Sequence, residues 1–171
     1  MKKWLSSTLA VWFTVASLTL ISGLAASQKH ADSAARNAPK QSKPAFETYH
    51  VGPWEQRIGY SQAVRSGGML YVSGTVGPNG EGKPDDLDSQ MKNAYAAIQK
   101  TLAQYKTDAS HVVMERIYTT DMDALIRSQE TRKQFYGDWL PAATWVEVRR
   151  LYGAADKIEI EVQVALNSSG T

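Results

Sequence analysis

The sequence contains no cysteine, and its histidines number only three, His30, His50 and His111. The first absence excludes a disulfide framework, a thiol nucleophile and a lipid-modified N-terminal cysteine, so packing alone must hold the fold. The second leaves poor material for zinc: without thiolates the ligands would be imidazoles and carboxylates, and the three histidines are scattered without ligand spacing. No metal and no other cofactor is expected. Also missing is any run of Lys and Arg with interleaved aromatics, the pattern that grips nucleic acid. Internal repeats are absent as well.

What is present begins with Met1-Lys2-Lys3, an uncharged apolar run from Trp4 to Leu24, and the small residues Gly23-Leu24-Ala25-Ala26-Ser27. A basic start, an apolar centre and a small-residue end make the three-part pattern of a secretory leader over residues 1–27. An uncleaved N-terminal anchor is the alternative, because the run approaches the length that spans a bilayer. The expected location is therefore exported, periplasmic or secreted, without stable membrane association once the leader is cleaved. Lys2 and Lys3 belong to the leader, so the mature chain carries 17 basic and 17 acidic residues and no net charge. Bulk attraction to nucleic acid or to an anionic membrane is not expected.

Residues 28–45, rich in Lys, Ser, Ala, Asn and Pro, read as a flexible linker. One domain is expected over 46–167, followed by a short tail at 168–171. Trp54 to Ile58 reads as a short strand broken at Gly59. Ala63–Ser66 and Met69–Gly74 flank Gly67-Gly68, a hairpin signal in which both glycines supply positive φ. Asp85-Asp86 can cap a helix running to about Tyr105, whose stripe is Leu87, Met91, Ala94, Ile98, Leu102 and Tyr105. A strand over Val112–Thr120 follows, then a second helix from Asp121 or Asp123 to about Trp139, ended by Pro141. This order predicts an α+β sandwich: one mostly antiparallel or mixed sheet with two helices on a single face.

The closing segments alternate with period two. Ile158, Ile160, Val162, Val164 and Leu166 form one face, and Glu159, Glu161 and Gln163 the other. A solvated outer face accounts for such acids; so does a site, because a carboxylate on a sheet needs pairing, water or a use.

Four segments resemble the RidA (YjgF) family of small trimeric proteins: Gly59-Tyr60-Ser61-Gln62-Ala63-Val64, Leu70-Tyr71-Val72-Ser73-Gly74-Thr75, Ile117-Tyr118-Thr119-Thr120-Asp121-Met122, and Pro141 to Val148 with Lys157 to Glu161. The resemblance implies a chorismate-mutase-like α+β fold, a homotrimer, and sites in clefts between subunits. It further implies cofactor-free hydrolysis of reactive enamines and imines to keto acids and ammonia. By the same resemblance Glu159 is the acid beside the attacking water and Tyr60 the site tyrosine, both catalytic candidates. Ser73, Gly74, Arg116, Tyr118, Ala143 and Trp145 are the substrate-binding candidates. Ala143 stands where the family has the Arg that holds a substrate carboxylate, and a methyl group cannot make that bidentate pair. The expected substrate is a small molecule other than a simple 2-imino acid, with Arg116 or a flat ligand on Trp145 as substitutes for the lost contact. The alternative is a non-catalytic trimer that binds a metabolite or partner; RNA cleavage or a holdase role ranks below both.

Overall fold

A computed structural model of the chain describes residues 45–80 and 86–166. The leader, most of the linker, Asp85 and the tail read from the sequence lie outside the described residues.

Six strands form one mixed sheet in the order β1-β2-β3-β6-β4-β5. They are β1 (Phe46–Tyr49), β2 (Ala63–Ser66), β3 (Met69–Val76), β4 (Val112–Thr119), β5 (Ala142–Glu147) and β6 (Ile158–Ala165). Every neighbouring pair is antiparallel except β4 and β5, which are joined by helices and run parallel. The last strand in the chain sits at the centre, which explains why its alternation is the cleanest: Ile158, Ile160, Val162 and Val164 are completely or almost completely buried. Against this face packs α2 (Leu87–Gln104), contributing Met91, Ala94, Ile98 and Leu102, all fully buried. Removing a Leu or Ile side chain of this kind from water stabilises by roughly 1.5–3 kcal/mol. Asp86 caps α2 as expected, accepting the Ser89 N–H at 2.8 Å. The helix lies so close to the end of β3 that a Cβ on Gly77 would sit 2.1 Å from the Gln90 carbonyl oxygen.

The hairpin between β2 and β3 has the expected place, but only Gly67 adopts positive φ. The segment read as a strand at Trp54–Ile58 is a helix, α1 (Pro53–Ile58). Pro53 opens it with φ already set for a helix. The buried Glu55 carboxylate then turns back to accept the Val51 N–H at 3.1 Å and pairs with His50 Nδ1 at 3.1 Å. Local hydrogen bonding outweighed the β-prone look of the segment. The single second helix is in fact two, α3 (Met122–Arg127) and α4 (Gln129–Tyr136), bent apart at Ser128 and ended at Gly137 instead of Pro141. Ser128 serves both: its N–H donates to the Ala124 and Leu125 carbonyls, and its carbonyl accepts the Thr131 N–H. The bend turns Arg132 and Tyr136 toward the sheet, where both reach the buried Glu115 of β4.

Candidate functional site

The sheet ladder is interrupted at one informative place. Between β3 and β6 the register shifts from Val72–Val162 to Thr75–Ile160, leaving Ser73 and Gly74 in a bulge. Bulges re-aim side chains and recur beside active sites. This one is pinned from both sides. Ser73 N–H donates to the Gln62 carbonyl at 2.9 Å, and its hydroxyl donates to the Ser61 carbonyl at 2.6 Å. The buried Gln62 amide donates to Thr75 Oγ1 at 3.0 Å. The segments around Ser61-Gln62 and Ser73-Gly74 therefore form one locked unit.

Glu159 lies over the bulge, on the sheet face away from the main helices. A Cβ on Gly74 would fall 1.8 Å from Glu159 Oε1, so glycine is what lets the carboxylate lie against the strand. Together with Tyr60, Ser73 and Asp156 these residues line a cavity of about 470 Å³, walled further by Trp54 and Tyr152. Glu159 is half-buried, and burial first, then the charges of Asp156 and Glu161, pushes its carboxyl above the ordinary value of 4.5. Among the described residues it accepts no hydrogen bond. Tyr60 is likewise held above the usual phenol range, by burial and then by the negative charge of Glu55, with a smaller contribution from Glu159. A carboxylate with free lone pairs and a raised pKa, beside a protonated phenol, is equipped to take a proton from water and to return it.

The neighbouring acids are engaged differently. Glu161 pairs with the Arg116 guanidinium across the strands, and Glu147 accepts the Met122 N–H at 2.9 Å. Of the eight site residues expected from the sequence, the structure gathers four around one cavity: Tyr60, Ser73, Gly74 and Glu159. Tyr118 is directly opposite Glu159 in the ladder, and Arg116 opposite Glu161, so both are near but neither lines the cavity. Ala143 and Trp145 are not brought there. They register with Glu115 and Ile117, which puts them on the helix-side face of edge strand β5. Trp145 instead lies against the Arg132 guanidinium, 5.4 Å from carbon to ring centre.

Trp54, Ile58, Tyr152 and Asp156 were not foreseen from the sequence. Trp54 and Ile58 are one turn apart on α1, an i,i+4 pair on one side of the helix. Asp156 did carry a signal, a turn acid three residues from the strand acid, with its Oδ2 accepting the Gly153 N–H at 3.0 Å.

The close approach at Gly74 makes a specific prediction. Gly74→Ala must displace the flexible end of Glu159 and leave the backbone in place. The expected stability loss is small, about 1 kcal/mol or less, because the clash is with a side-chain tip. Any activity that depends on the carboxylate position should fall about 10- to 100-fold, since misplacements near 1 Å have that effect. A large drop in melting temperature with unchanged turnover would contradict this account.

A six-stranded mixed sheet with its main helices on one face and an acid-lined cavity on the other defines the class of small α+β proteins to which the comparisons point. The family model described as Endoribonuclease L-PSP matches residues 54–166, most of the described domain. The chain belongs to this family, the RidA (YjgF) family. Its curated relatives include the RutC family protein YjgH of Escherichia coli, 30% identical over 104 residues, which are 60% of this chain and 79% of the relative. Another is the mitochondrial protein mmf2 of Schizosaccharomyces pombe, 30% identical over 105 residues, or 60% of this chain and 83% of the relative. Among solved structures, a YjgF-family protein from Mycobacterium tuberculosis is 31% identical with a TM-score of 0.64, covering 71% of this chain and 99% of that one.

Proposed function

We propose that this chain is a hydrolase of enamines or imines, working as a homotrimer without a cofactor, with Glu159 moving the proton and Tyr60 donating from the cavity lining. The observation that carries the reading is the Glu159 carboxylate, half-buried and unpartnered among the described residues, laid over the Ser73-Gly74 bulge and lining a cavity. An imine carbon is already electrophilic, so the protein needs only to position water, hold the substrate and shuttle a proton. Ser73, which lines the cavity, supports this by fixing the bulge. The engagement of Arg116 by Glu161, with no Lys or Arg among the described residues that line the cavity, argues against a simple 2-imino acid as substrate.

A panel of imines generated in situ, with and without a carboxylate, tests the reading through ammonia release and imine decay. Acceleration of at least one member by the purified protein is expected. Unchanged decay across the panel, combined with ligand-induced thermal stabilisation, would favour a trimer that binds a metabolite without turning it over. RNA belongs in the same panel, because the matching family model bears an endoribonuclease name. The balanced charge of the mature chain favours no cleavage there.

A further inference from the structure

The cavity over Glu159 has a one-sided charge. Among the described residues that line it, the charged ones are Asp156 and Glu159, with no Lys or Arg. Both carboxylates are set in place by glycine contacts. Asp156 Oδ2 accepts the Gly153 N–H, and a Cβ on Gly153 would fall 2.4 Å from that same oxygen. Glu159 is seated against Gly74 in the same manner. The walls are aromatic and apolar: Trp54 and Tyr152 are 44% and 79% exposed beside Ile58 and Tyr60. Large aromatic faces that one protomer presents around two fixed acids are the chemistry that recognises an organic cation, through ring quadrupoles and the focused negative potential of a low-dielectric cleft. An anionic ligand entering the same space meets like charge. Arg116 does not relieve it, because its guanidinium is taken by Glu161.

We infer that the cavity selects protonated imines of apolar or aromatic amines, iminium cations that carry no carboxylate. The inference rests on the hydrolase reading above and names its substrate class. The step balances as R–CH=NH2+ and water giving R–CHO and NH4+. As the water oxygen bonds to the imine carbon, Glu159 takes a proton from it, then returns that proton to the nitrogen. The C–N bond breaks as the hydroxyl becomes a carbonyl, and the hydroxyl proton leaves on ammonia as ammonium. Nothing is oxidised or reduced. The substrate's positive charge also offsets the crowding of Glu159 by Asp156 and Glu161, so binding favours the ionised carboxylate that water attack requires.

The test uses the full chain and three stable probes that share a ring and differ in charge: benzylammonium, benzyl alcohol and benzoate, titrated by calorimetry at neutral pH. Benzylammonium is expected to bind about tenfold more tightly than benzyl alcohol, the size of a partly desolvated cation–aromatic contact with carboxylate support. Benzoate should bind most weakly. Asp156→Asn, which keeps the acceptor for Gly153, should reduce the preference for the cation. Tyr152→Ala, at a side chain that is exposed in the protomer and outside its core, should weaken benzylammonium several-fold. Benzoate binding as tightly as benzylammonium overturns the inference, and so does the absence of binding by all three up to about 10 mM. These titrations read charge preference without turnover. A cation preference with no imine hydrolysis would overturn the hydrolase reading and keep the cation site, whereas hydrolysis of carboxylate-bearing imines alone would do the reverse.

Discussion

Glu159→Gln is expected to lower imine hydrolysis about 10²- to 10⁴-fold, the usual contribution of a positioned general acid–base group. The fold should not suffer. Gln has nearly the same shape against Gly74, and it removes a charge that the half-buried position disfavours. The sign follows from the direction of the shift. A carboxyl held above its unfolded value contributes stability that is fully present below that unfolded value and lost as pH rises through the folded one. Near neutrality the wild type bears that loss and the neutral variant does not, so the melting temperature of the variant should match or exceed the wild type. Catalysis runs the opposite way, because a base must be ionised. The acidic limb of the wild-type rate profile should therefore lie above pH 4.5 and be missing from whatever activity the variant retains. Melting curves and pH–rate profiles on the two proteins decide the matter together. Retained activity with the same acidic limb would assign the proton transfer to another group.

How far the sequence discloses this site depends on what each signal measures. Period-two alternation marks a strand with one buried face, and β6, central and flanked on both sides, met that condition fully. The apolar stripe of α2 was equally legible because the whole helix lies on the sheet. Failures came where short-range chemistry decides. In α1, Pro53 and the inward Glu55 overrode a strand-like composition, which concealed Trp54 and Ile58 as cavity walls. The bend at Ser128 was invisible because an amphipathic stripe cannot distinguish one straight helix from two joined at a bend. Placement of Ala143 and Trp145 was beyond any sequence pattern: it needs the register of β5 against β4, which long-range packing sets. Glu115 was legible and passed over. It shares strand parity with Ile117 and Thr119, and a charged residue on the apolar parity of a strand announces a buried partner.

That partner cluster gives the largest expected stability effect. Glu115 is completely buried and accepts three hydrogen bonds, from Arg132 Nε at 2.6 Å, Tyr95 hydroxyl at 2.8 Å and Tyr136 hydroxyl at 2.8 Å. Burial and the adjacent carboxylate hold both phenols far above their ordinary range, so they remain donors wherever the protein is folded. The Arg132 guanidinium is 5.0 Å from the centre of the Tyr136 ring and 5.4 Å from that of Trp145. Four elements, α2, α4, β4 and β5, are thereby tied to one charge. Glu115→Ala should destabilise by about 3–5 kcal/mol, because it strands a buried guanidinium and two hydroxyls. For a domain of this size the melting temperature should fall by roughly 10 °C or more. Arg132→Met should cost a similar amount, through the opposite orphan. Tyr95→Phe or Tyr136→Phe leaves the other donors in place and should cost only about 1 kcal/mol. The double replacement Glu115→Leu with Arg132→Met separates pairing from packing. It removes both charges, so its loss should be smaller than the sum of the two single losses, the signature of residues that stabilise as a pair. Urea midpoints for the two singles and the double measure this directly. Strictly additive losses would show that the two side chains act through independent packing, and the ion pair would then contribute nothing of its own to joining the helices to the sheet.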